Sequence, residues 1–178
     1  QVGLKDVARE AGVSHALITH YFGTYAGLIE AALEDRITQL RAIMLVRLRE
    51  QGAIERPMEL LGILFATLED PVHLRLVRWL LASERPASRH SLALQEQGFK
   101  EVCRQIIAAV TPTPTPELVD AIELAMLTGV CAAYGYALAK QPLAAALGRT
   151  AGPAFGEDVK RTLAAMLESF LRTKLDEQ

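Results

Sequence analysis

Apolar residues recur along this chain three and four positions apart, and no stretch alternates strictly between apolar and polar residues inside turn signals. The pattern predicts an all-α fold. Leu4, Val7, Ala8 and Ala11 share one face of a short helix. Ile18, Tyr21 and Phe22 share a face of a second, from about Ser14 to Phe22, and Gly12 and Val13 separate the two. The two apolar stripes can pack together, with Ile18 and Phe22 turned inward, Val13 plugging the gap and Ser14 capping the second helix. This unit is a helix-turn-helix. A long helix follows, capped by Thr24, running from about Tyr25 to Gln51 and stopped at Gly52. Its apolar side carries Leu28, Ile29, Ala32, Leu33, Ile37, Leu40, Ile43 and Met44, and it is long enough to join two lobes.

Proline and glycine mark the later joints. Pro57 and Pro71 suit first helical turns, where a missing N–H costs nothing, and open helices through about Thr67 and Ser83, with Asp70 capping the second. A loop is expected over Arg85–Ser91, then a helix from about Leu92 to Val110 with Phe99, Val102, Cys103, Ile106 and Ile107 at core spacing. Thr111 to Pro116 reads as a stiff extended spacer, because each residue before a proline is pushed out of the α region. Two helices close the chain, from Pro116 to about Lys140 and from about Glu157 to Leu175, joined by a Gly-, Ala- and Pro-rich connection. Small residues at Ala121, Ala125, Thr128, Gly129, Ala132, Ala133 and Gly135 admit a close helix neighbour. Val159, Leu163, Met166, Leu167, Phe170 and Leu171 form a seam on the last helix. Paired across a two-fold axis, these helices would make a four-helix bundle, so a homodimer through the last two helices is expected.

Composition narrows the function classes. Half of the 178 residues are apolar (51%), enough for a substantial core, and the net charge of −2 means that any polyanion site must be local. Cys103 and Cys131 read as reduced core thiols of a cytoplasmic protein. The longest uncharged apolar run, Leu124 to Ala139, is short for a bilayer span, and no membrane segment is expected. His15, His20, His73 and His90 do not fall at metal-ligand spacing. Gly148, Gly152 and Gly156 are not followed by the lysine of a phosphate loop, so neither enzyme chemistry, metal nor cofactor is expected.

The ordered set Val7-Ala8, Ala11-Gly12-Val13-Ser14, Tyr21-Phe22 and Thr24, over about Leu4 to Leu33, resembles the DNA-binding signature of the tetracycline-repressor (TetR) family. The resemblance implies a helix-turn-helix DNA-binding domain at 1–33, which lacks the helix the family places before Leu4, and a helical ligand-binding and dimerisation domain at 34–178. With Ile18 and Phe22 inward, His15, Ala16, Leu17, Thr19 and His20 face outward, where a major groove would meet them. Ala16 and Leu17 suit thymine methyls, the two histidines suit phosphates or base acceptors, Thr19 suits a phosphate, and the helix start at Ser14 suits a phosphate. Gly3, Lys5, Tyr21 and Tyr25 complete the candidate DNA surface. Thr19 stands where the family usually has tyrosine, Tyr25 where lysine is common, Ala26 where an acid is common and Gly3 where threonine is usual. These departures weaken the phosphate contacts.

The resemblance further implies a small-molecule effector, apolar or amphipathic, held beyond the long helix. The candidates are Phe65, Trp79, Phe99 and Met126 for apolar contact and His73, Arg75 and Arg78 as polar anchors. The expected function is a ligand-responsive regulator, a repressor, binding palindromic double-stranded operator DNA as a dimer. The alternative is a helical adaptor that keeps the fold and has lost DNA reading, to which Thr19, Tyr25 and Ala26 point.

Overall fold

The computed structural model describes residues 3–50, 57–82 and 96–176. Helices account for nearly all of them, and no strand occurs among the described residues. In chain order they are α1 (Leu4–Glu10), α2 (His15–Phe22), α3 (Tyr25–Leu48), α4 (Pro57–Leu68), α5 (Pro71–Ala82), α6 (Glu96–Val110), α7 (Pro116–Ala146) and α8 (Pro153–Asp176). The stop expected at Gly52, the loop expected over 85–91, His90 and the helix start expected at Leu92 lie outside the described residues.

Helix starts follow local chemistry. Ser14, Thr24 and Thr115 each turn a side-chain oxygen onto a free N–H of the first turn, of Leu17 at 3.1 Å, Gly27 at 3.1 Å and Leu118 at 3.3 Å. Asp70 caps α5 with one carboxylate oxygen that accepts from the N–H groups of Val72 (3.0 Å) and His73 (2.9 Å). The same oxygen receives the Arg36 guanidinium at 2.9 Å, which ties α5 to the long helix α3. Two helices outrun their expected ends. The chain remains helical through Pro142 to Ala146, because the alanine-rich turn beyond it carries the helix past one missing N–H. The last helix begins at Pro153 rather than Glu157, since proline is at home in a first turn. α3 ends at Leu48, short of the expected Gln51.

The body is built around α4, which packs on α3, α5, α7 and α8. Phe65 and Leu68, both 1% exposed, meet Ala133, Leu163 and Ala164 there. Ala121, Ala125, Gly129, Ala133 and Ala137 form a buried small-residue stripe along α7. That stripe admits neighbours within the chain, while Thr128, Ala132 and Gly135 stay exposed. Cys103 is buried, as expected, but Cys131 is exposed on α7, because it falls on the face opposite the stripe. By length and composition α7 could cross a membrane, alone in this among the described helices. Here its buried face packs against α4, α6 and α8.

Candidate functional site

The turn between α1 and α2 needs backbone that side chains resist. Gly12 sits at φ 68°, and Gly23, which ends α2, at φ 67°. Gly27 serves a different need: a Cβ there would overlap the Phe22 carbonyl, so glycine lets α3 start against the end of α2. The resulting head is thinly packed. Its buried side chains are Ala8 on α1, Ile18 on α2 and Ala26 on α3.

All of α2 except Ile18 is exposed. His15, Ala16, Leu17, Thr19, His20 and Tyr21 therefore stand together on one short helix behind the Ser14 cap. Leu17 is 44% and Tyr21 73% exposed. Phe22 (37%) was expected inward and Val13 (38%) in the gap; both remain exposed. The physical reason is reach: α1 has only seven residues, and its contact with α2 is spent on Ala8 and Ile18. The Thr19 hydroxyl donates back to the His15 carbonyl at 2.9 Å, so its proton is engaged within the helix. Gly3 caps α1 and donates its N–H to Asp6 at 3.0 Å; Lys5 is exposed on the same helix, whereas Arg9 is paired with Asp6. Tyr25 is half-buried, its ring set edge-on to Trp79 at 5.9 Å, which links the start of α3 to α5.

The head matches the family of bacterial regulatory proteins, tetR family, over residues 1–32. The match is confined to the head. Two similar proteins are each named HTH-type transcriptional regulator BetI. The protein of Escherichia coli O127:H6 is 42% identical over 66 residues, 33% of this chain and 34% of its own length. That of Cronobacter sakazakii is 38% identical over 74 residues, 39% of this chain and 37% of its own. The chain thus spans little more than a third of the length of these curated relatives. No solved structure matches it.

Among the described residues, the body holds two largely apolar, half-open cavities. One, of about 140 Å³, lies between α3, α4, α6 and α7; the other, of about 340 Å³, lies between α4, α6, α7 and α8. Of the residues singled out for ligand contact, Phe99 lines the first and Met126 lines both. His73 lies behind the first cavity, fully buried, with Nε2 3.1 Å from the hydroxyl of Tyr134, which does line it. Phe65 is packed in the core against Tyr136, Trp79 is on Tyr25, and Arg75 and Arg78 face solvent. Two lining groups escaped the sequence reading, Arg41 and Tyr134. Arg41 left a signal: it is a charged residue between Ile37, Leu40 and Met44 on the apolar side of α3.

Proposed function

We propose that the chain is a DNA-binding transcriptional regulator that works as a dimer and answers to a small effector held in the body. The observation that carries this reading is the continuity of α3. Its first turn abuts the end of α2, where Gly27 meets the Phe22 carbonyl, and its middle turns wall the cavity with Ile37, Leu40 and Met44. A ligand that changes the seat of α3 changes the placement of the recognition helix. In a dimer it then changes the spacing of two recognition helices, and a two-fold operator tolerates one spacing.

Exposed apolar residues support the dimer. Leu124 (56%) and Leu127 (51%) on α7, with Met166 (64%) and Phe170 (39%) on α8, are open to solvent in the single chain. A second copy of the helix pair would cover such exposed apolar residues.

The test is titration of the full-length protein against DNA from around its own gene, at several salt concentrations, with unrelated DNA as control. Specific, salt-sensitive binding is expected. Equal or absent binding to both DNAs from a folded dimer would replace the regulator by an adaptor, for which the engaged Thr19 hydroxyl and the placement of Tyr25 on Trp79 would be the cause.

A further inference from the structure

The two cavities differ in which of their charges are already satisfied. In the larger one the cation is Arg172, and it is paired with Glu168 at 2.6 Å. In the smaller one it is Arg41, and among the described residues no side chain pairs with it. Arg36, on the same helix, has its carboxylate in Asp70. Arg41 is half-buried, and its guanidinium lies on α6 at Gly98. A Cβ at that position would overlap one guanidinium nitrogen and come within 2.9 Å of Cδ. Glycine at position 98 is therefore what lets the cation lie along the cavity wall. A guanidinium withdrawn from water into apolar surroundings without a counter-charge is costly, and a ligand anion removes that cost.

Tyr134 supplies a second donor. His73 is fully buried, and its Nδ1 has no partner among the described residues. A buried orphan acceptor is tolerated more often than a buried orphan N–H, which places the imidazole proton on Nε2, donating to the Tyr134 oxygen at 3.1 Å. The hydroxyl proton of Tyr134 is then left for the cavity. Burial pushes that phenol up to about 12, so it remains a donor at every physiological pH.

Met126 stands between the cavities and lines both. Alone, the smaller is comparable to a space of about 150 Å³ that admits a benzene-sized molecule. A flexible thioether can swing aside and open the larger, mainly apolar space to a longer chain.

We propose that this site takes an apolar carboxylic acid, its carboxylate on Arg41 and Tyr134 and its hydrocarbon chain running past Met126 into the larger cavity. The proposal rests on the effector reading above and names that effector's chemistry. It is tested without DNA, by calorimetric titration of the full-length protein with decanoate, decanol and decyltrimethylammonium below their micelle concentrations. Decanoate should bind at least about tenfold tighter than decanol, the margin of a charge-assisted hydrogen bond. Arg41→Met should abolish that preference and keep decanol binding, Arg41→Lys should keep most of it, and Gly98→Ala should weaken decanoate by driving the guanidinium across the site. Equal affinity for all three probes, tighter binding of the cation, or a preference that survives Arg41→Met in a protein of unchanged melting temperature would overturn the proposal. The operator titration on the same preparation separates the two readings. Decanoate preference without DNA binding sinks the regulator and leaves the site, and DNA binding without decanoate preference sinks the site alone.

Discussion

Head and body achieve order by different means. The head buries Ala8, Ile18 and Ala26 and little else, so its shape depends on positive-φ glycines and on the caps at Ser14 and Thr24. The body buries Phe65, Leu68, Leu118, Ile122 and His73 almost completely, so its shape depends on packing. Even their exposed apolar residues mean different things. Leu17, Tyr21 and Phe22 lie on the short helix α2 with no core to serve, whereas Leu124, Leu127 and Met166 extend a packed helix pair outward. The comparison teaches that the head is the locally encoded, weakly held part. A small movement of α3 can therefore reposition the head without disturbing the core.

The largest effect belongs to the body. Phe65→Ala removes a ring in contact with Tyr136, 5.6 Å between centroids, from the centre of the main cluster. It should cost about 3–5 kcal/mol in urea unfolding of the whole chain. A loss no greater than that from a head substitution would erase the contrast between the two regions.

Ile18→Ala is the matching change in the head. It should cost about 2 kcal/mol, the low end for such a truncation, because the surroundings are thin and can close up. The loss should appear as faster amide exchange in α1 and α2 and as lost operator binding, while the main unfolding transition of the body stays in place. A cooperative shift of the whole transition would show that head and body fold as one unit.

Legibility in the sequence follows the same division. The head could be read almost residue by residue, since Gly12, Ser14 and Thr24 act on neighbours one to three positions away. What failed there was depth: helical periodicity says that Tyr21 and Phe22 share a face, but not that a seven-residue α1 is too short to cover it. In the body, periodicity gave the helices and Asp70 its cap. It was blind to which charged residue comes to line a cavity, because Arg41 and Tyr134 meet there only through the packing of α3 on α6 and α7. His73 was noticed as a polar anchor. Its place behind Tyr134, 61 positions away in sequence, was not legible.

Caps sharpen the comparison with one chemistry in two settings. Thr24→Ala in the head and Thr115→Ala in the body each remove an oxygen that accepts from a first-turn N–H, and each should cost about 1 kcal/mol. The Thr115 variant should lower the melting temperature of the whole chain, by several degrees at most. The Thr24 variant should raise exchange at the start of α3 and leave the melting temperature nearly unchanged. Equal melting shifts would mean that the junction at α3 transmits stability in full.

The smallest effect is graded in pH. Burial is the main reason that the His73 imidazole is held below the ordinary histidine value; the Arg36 guanidinium adds to this and the Asp70 carboxylate opposes it. Tyr134, the remaining titratable group against the ring, stays neutral throughout. Because the folded value lies below the unfolded one of 6.5, the unfolded chain binds more protons than the fold once the pH drops through that range. Stability is therefore complete at neutral pH and declines on acidification toward pH 5. Melting curves between pH 7.5 and 5 should fall more steeply for the parent chain than for His73→Phe, which cannot take up the proton. The decline belongs to the body alone, so the protection of amides in α1 and α2 should be the same in both proteins at each pH. Identical slopes for parent and variant would remove His73 as the group responsible.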